Sequence, residues 1–109
     1  MAAEFILSFF DKEWYQKNKS NISKKIQSLS TFKSRDGNEY QLLSDEFRND
    51  KKDWLYNVRL FIEETNIFIE IATHPLSTED DLCLLFRWIR KQSNISINDE
   101  DGEVSGWLN

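Results

Sequence analysis

The amino-acid sequence predicts an α+β fold: a single-domain sandwich with two helices packed on one face of a mostly antiparallel sheet. Three observations carry that expectation. Apolar residues alternate with period two through 54–62 and again at Ile67, Ile69 and Ile71, as half-buried strands do. Two other stretches repeat their apolar residues at spacings of three, four and seven, which line one side of a helix. The two kinds of stretch interleave in the order β-α-β-β-β-α-β, a variant of the ferredoxin-like pattern with one strand too many. With neither an internal repeat nor a linker, residues 1–109 read as one domain.

Residues 5–10 read as a short buried strand, and Asp11 then starts a helix over 12–29. Its stripe is Tyr15, Ile22, Ile26 and Leu29, and the polar run 18–21 is a candidate break or kink. Residues 34–38 (Ser-Arg-Asp-Gly-Asn) form a turn cluster, 39–43 a strand, and the polar run 47–53 a loop. In 54–62, Trp54, Tyr56, Val58, Leu60 and Ile62 share one face, with Asn57, Arg59, Phe61 and Glu63 on the other. Glu64 and Thr65 link this strand to the next in a hairpin. Thr73, His74 and Pro75 close it, since proline cannot donate to a ladder. A second helix follows, capped by Ser77 or Thr78 with Asp80 or Asp81 as the capping-box acid, and its stripe is Leu82, Leu85, Phe86 and Ile89. Ile95 and Ile97 alternate as a strand, Asp101 and Gly102 turn, and 104–107 is a candidate return strand.

Composition narrows the function classes. The chain has 109 residues and a net charge of −5; 14% are aromatic, with three glycines and one proline. That is a foldable domain, not a disordered chain. A single cysteine excludes an internal disulfide and any Cys-cluster zinc site. The first apolar run breaks at Ser8 and ends at Asp11, too short for a membrane span and without the basic start of a secretory signal, so a cytoplasmic protein is expected. Acidity argues against direct nucleic-acid binding, which needs cations facing phosphate.

The charge is unevenly spread. Residues 1–60 carry a balance of +2 and residues 61–109 one of −7. Lys17, Lys19, Lys24 and Lys25 cluster in the first helix, which reads first as a solvated face and second as a phosphate or RNA contact.

Catalytic constellations fail on inventory. His74 is the one imidazole and reads as a structural or surface residue; Cys83 lies beside a helical stripe and reads as a buried, inert thiol. The three glycines are isolated, so no phosphate loop exists. Aligned as an EF-hand on Gly102, the acidic run 98–103 puts Ile97 at the first ligand position and Leu108 at the twelfth, where oxygen ligands are required. No enzyme, cofactor or metal site is expected.

Three acidic groups remain: Glu63, Glu64 and Glu70 around the central hairpin; Glu79, Asp80 and Asp81 at a helix start; and Asp99, Glu100, Asp101 and Glu103 near the C-terminus. The second has a structural explanation as a cap. The last reads first as an ordinary hairpin turn and second as an acidic contact loop. A concentrated negative field steers a basic partner, and Phe61, Phe68, Trp88 or Trp107 are candidate apolar anchors. The partner-binding candidates are Glu63, Glu70, Asp99, Glu100, Asp101, Glu103 and Trp107.

In length, acidity, α+β order and a late acidic turn closing on tryptophan (99–107, Asp-Glu-Asp-Gly-Glu-Val-Ser-Gly-Trp), the chain resembles the small immunity proteins of bacterial polymorphic toxin systems, including contact-dependent growth inhibition. The resemblance implies a non-catalytic cytoplasmic inhibitor that binds and neutralises a cognate toxin domain, often a basic nuclease. The competing expectation is a structural or regulatory protein–protein interaction module, self-associating through a sheet edge or the mixed hairpin face.

Overall fold

The computed structural model describes residues 3–44, 56–73 and 75–104. Among them the chain forms two helices and one six-stranded sheet: β1 (Ala3–Phe9), α1 (Lys12–Gln27), β2 (Phe32–Asp36), β3 (Glu39–Leu42), β4 (Val58–Ile62), β5 (Asn66–Ile71), α2 (Leu76–Arg90) and β6 (Ile95–Asn98). The sheet order is β2-β3-β4-β5-β1-β6, and every neighbouring pair is antiparallel. Without the edge hairpin β2–β3 the order becomes β4-β5-β1-β6. There β5 separates the two strands joined through α1, and β1 separates the two joined by α2, which is the ferredoxin-like arrangement of interleaved β-α-β units.

One face of the sheet holds the core. Phe5, Leu7, Phe9, Tyr40, Leu42, Val58, Leu60, Ile67, Ile69, Ile71 and Ile97 are buried with Tyr15, Ile22 and Ile26 of α1 and Leu82, Leu85, Phe86 and Ile89 of α2, in a single cluster. Both helices therefore cover the same face. Tyr15 locks α1 onto the sheet: its ring stacks on Phe9 at 4.4 Å, and its hydroxyl lies 2.6 Å from the Glu63 carbonyl oxygen and 2.9 Å from that of Asn66. The residues of both expected stripes are buried, but α1 ends at Gln27 and Leu29 lies beyond it.

Several local expectations need correction. β1 is not buried throughout; it alternates, with Ile6 43% exposed, and Phe10, just beyond its end, is 71% exposed. β2 occupies most of the stretch read as a turn, which contracts to Gly37 and Asn38 between the paired Asp36 and Glu39, with Gly37 at φ 60°. An edge strand with one apolar residue has little periodicity to read. α1 runs unbroken through 18–21, because Asn18 turns its amide back to the Trp14 carbonyl at 2.8 Å and Asn21 bonds Asn18. Asp11 caps it as expected, accepting from the Trp14 amide at 3.0 Å. The return strand expected over 104–107 is a single bridge, Asn98 to Val104, with 105–109 outside the described residues.

β4 begins at Val58, later than the alternation implied; Trp54 lies outside the described residues. Asn57, expected on the outward face, is fully buried. Its amide donates to Leu42 and its carbonyl accepts from Ala72, both at 2.8 Å; its side chain accepts from the Ser44 amide and donates to the Thr73 hydroxyl, both at 2.7 Å. A buried amide with partners on all sides can end a strand where a periodic pattern would run on.

The second helix is not capped by Ser77 or Thr78. It starts at Leu76 with Pro75 at the cap position, and the Thr78 hydroxyl donates to the Pro75 carbonyl at 2.9 Å. Asp81, freed from capping, turns to the α1–β2 connection. It accepts from the Thr31 amide at 2.8 Å, the Thr31 hydroxyl at 2.6 Å and the Ser30 hydroxyl at 3.1 Å.

Because this buried carboxylate ties α2 to the α1–β2 connection, Asp81→Ala is expected to lower unfolding stability by about 2–3 kcal/mol and the melting temperature by about 10 °C, measured by urea and thermal denaturation. Tyr15 yields a pH prediction. Burial, and then the Glu63 carboxylate, raise its phenol well above the ordinary 10.0. The unfolded chain deprotonates first, so the stability that protonated Tyr15 contributes is full below about pH 10 and is lost as pH rises further. Tyr15→Phe is expected to flatten that alkaline decline in urea titrations from about pH 9 to about pH 11.

Candidate functional site

The face of the sheet turned away from both helices carries the second register set. Across β1, β5 and β4, Ile6 stands opposite Phe68 and Phe68 opposite Phe61, while in the adjacent row Glu4 stands opposite Glu70 and Glu70 opposite Arg59. Phe61 and Phe68 are half-buried with ring centroids 5.8 Å apart. The result is an apolar row beside a charged row, on a face that neither helix covers.

Glu70 is less available than the sequence implied. One of its oxygens, Oε1, takes three donors: Arg59 Nη2 at 2.7 Å, the Tyr56 hydroxyl at 2.9 Å and Arg59 Nε at 3.0 Å. The Arg59 guanidinium also stands over the rings of Tyr56 and Phe61, 4.6 Å and 5.4 Å from their centroids. Burial and the hydrogen bond to Glu70 push the Tyr56 phenol up. Glu70 thus organises the open face and presents little unbalanced charge.

The late acidic run is an ordered turn built on Asp99. Its side chain accepts from the amides of Asp101 at 2.9 Å and Glu103 at 3.0 Å, while its own amide donates to the Glu103 carbonyl at 2.8 Å. Gly102, at φ 81°, closes the loop in the left-handed region. Glu100 reaches back to β1 and accepts from the Glu4 amide at 3.1 Å. This contact joins the turn to the sheet around a shallow depression of ≈ 250 Å³ lined by Glu4, Asp99, Glu100 and Asp101. The carboxylates of Asp101 and Glu103 are exposed and make no hydrogen bond or ion pair among the described residues.

Of the sequence-expected binding residues, then, Asp99, Glu100, Asp101 and Glu103 come together, and Glu70 joins them through Glu4. Glu63 does not. It sits in the β4–β5 turn, four positions along from Arg59, and touches the Asn38 amide at 3.4 Å. Trp107 and His74 lie outside the described residues. Trp88 packs against the helix-side core with the Lys25 ammonium 5.8 Å from its ring, so it is no anchor for the open face. Cys83 is half-buried, not buried. Glu4 was missed: nothing in its neighbourhood marks it, because its importance comes from pairing with a strand more than sixty residues away.

Among the described residues no group of three or more His, Cys, Asp or Glu is placed to hold a metal, and no helix is long and apolar enough to cross a membrane. No family model matches the chain, and no curated protein or solved structure is significantly similar to it.

The distinction between committed and free carboxylates is measurable. Urea unfolding of Glu70→Leu, Arg59→Leu and the double variant is expected to give a coupling of about 1 kcal/mol. Asp101→Lys is expected to leave the unfolding midpoint unchanged.

Proposed function

We propose that this chain is a non-catalytic inhibitor of the immunity type, which binds a cognate toxin domain with a basic surface, such as a nuclease, and neutralises it. One observation carries the reading: a carboxylate-rich turn is tied by the Glu100–Glu4 contact to an apolar row, Ile6-Phe68-Phe61, that neither helix covers. Its parts suit tight recognition. Free carboxylates at Asp101 and Glu103 steer a cationic partner and take the place of substrate phosphates in its groove. Adjacent half-buried rings supply area that is desolvated on docking. Arg59 and Glu70, already paired, enter an interface without leaving an unmatched charge. Trp107, five residues beyond Gly102 in sequence, is a further anchor in this reading, and the cytoplasm is its place of action.

A second reading rests on β6. It is an edge strand whose outer side carries, among the described residues, only the Asn98–Val104 bridge, and such an edge can pair with a second copy. A stable dimer of the chain alone in light scattering would favour this homodimeric interaction module.

The test of the first reading pairs the chain with any candidate toxin domain found encoded beside it in its source genome. Co-expression is expected to abolish toxicity, and the purified proteins are expected to associate at a rate that falls steeply with salt. Asp101→Lys with Glu103→Lys is expected to slow association about tenfold at low salt while the fold is kept. Unchanged kinetics would remove the acidic turn from the interface, and toxicity undiminished by the wild-type chain would remove the function.

A further inference from the structure

The basic cluster of the first helix is not used by the acidic face, and the fold gives it a second setting. α1 and the β2–β3 hairpin enclose an open groove of ≈ 550 Å³. Its lining includes three cations, Lys19, Lys24 and Arg35, and, among the described residues, no carboxylate. On α1, Ser20, Ser23 and Gln27 form the middle of the facing stripe, with Lys19 and Lys24 on either flank, about 140° apart around the axis. On the hairpin, Arg35 pairs with Tyr40, which puts it on the helix side of the sheet, while Asp36 and Glu39 point to the other side.

Two of the cations are held, and none is neutralised among the described residues. Arg35 Nε donates to the Gly37 carbonyl at 2.8 Å and its guanidinium stands 5.1 Å from the Tyr40 ring centroid, so the outer nitrogens are presented with little freedom left to lose. Lys19 stands 5.1 Å from the Tyr15 ring centroid. Among the described residues none of the three makes an ion pair. At the rim the Asn38 side-chain amide touches the Glu63 carboxylate at 3.4 Å. The floor is firm: the Tyr40 hydroxyl donates to the Ser23 hydroxyl at 2.6 Å in the buried interior, and Gln27 Nε2 donates to the same oxygen at 3.0 Å.

The geometry points to a binding site for a small phosphorylated molecule, with two linked phosphates between Lys19, Lys24 and Arg35 and its organic part against Ile62. Cations from two opposed walls suit a compact anion of two or more charges better than a single carboxylate. A long nucleic-acid backbone fits less well. The chain carries a net charge of −5, which disfavours a polyanion that runs beyond the concavity.

The test titrates the isotope-labelled chain with inorganic pyrophosphate, with inorganic phosphate, a nucleoside diphosphate, single-stranded RNA and anionic lipid vesicles in parallel arms. Amide shifts confined to 19–27 and 35–40, with pyrophosphate and the nucleoside diphosphate bound more tightly than phosphate, are the expected result. Lys24→Gln and Arg35→Gln are exposed substitutions that leave the fold in place, and each is expected to weaken pyrophosphate binding about tenfold. Lys91→Gln, beyond the far end of α2, is expected to leave it unchanged. Equal losses in all three variants, shifts spread over every surface lysine, or binding to RNA or vesicles alone would overturn the proposal.

Discussion

The pairing of β1 with β5 is the constraint on which the rest of the molecule depends. These strands lie more than fifty residues apart in the chain, yet each forms the middle of the other's β-α-β unit. Their register sets Phe5 opposite Ile69 and Leu7 opposite Ile67 on the face that both helices cover. A slip of one residue would send Phe5, Leu7 and Phe9 to solvent and bring Glu4, Ile6 and Ser8 inward, so the hydrophobic pattern permits one register. The same register puts two carboxylates, Glu4 and Glu70, directly opposite on the outer face, an arrangement that costs stability on its own. Arg59 on the far side of Glu70 offsets it. The charged row is therefore a consequence of how the core must pair.

Periodicity made most of this legible in advance. Both helices, the central hairpin and the first and last strands could be read because each buries a stripe or an alternating face, and burial leaves a period in the sequence. The failures share a cause. β2 lies at an edge with little to bury, and Asn57 and Asp81 act through polar contacts that have no period. Asp81, like Asp80, reads as a capping-box acid because an acid three residues after Ser or Thr is a local signal. Its partners, Ser30 and Thr31, are fifty residues away, and local reading has no access to them.

The candidate site was legible as a composition but not as an arrangement. Splitting the charge by sequence halves separated acids from bases correctly in number, and the fold then re-sorted them. Glu4, from the near-neutral half, completes the acidic end with Asp99, Glu100 and Asp101. Glu63, from the acidic half, stands at the rim of the basic groove. Within the acidic half, hydrogen bonding divides the carboxylates further: Glu70 and Asp99 hold structure together, whereas Asp101 and Glu103 face solvent. Only the second kind can lend its charge to a partner without a structural cost.

That division bears on how one small domain can carry two surfaces of opposite sign. The sheet provides the separation, because its alternating side chains put Arg35 on the helix side and its neighbour Asp36 on the other. Lys19 and Lys24 extend the positive side from α1, and the Glu4–Glu100 contact ends the negative side at the opposite edge of the sheet, beside β6. A buried core lies between them, so neither cluster screens the other through direct pairing. An anion in the groove would lower the net positive charge near α1 and leave the carboxylates of the turn untouched. The two surfaces therefore stand apart, which a single mixed patch of the same composition would not allow.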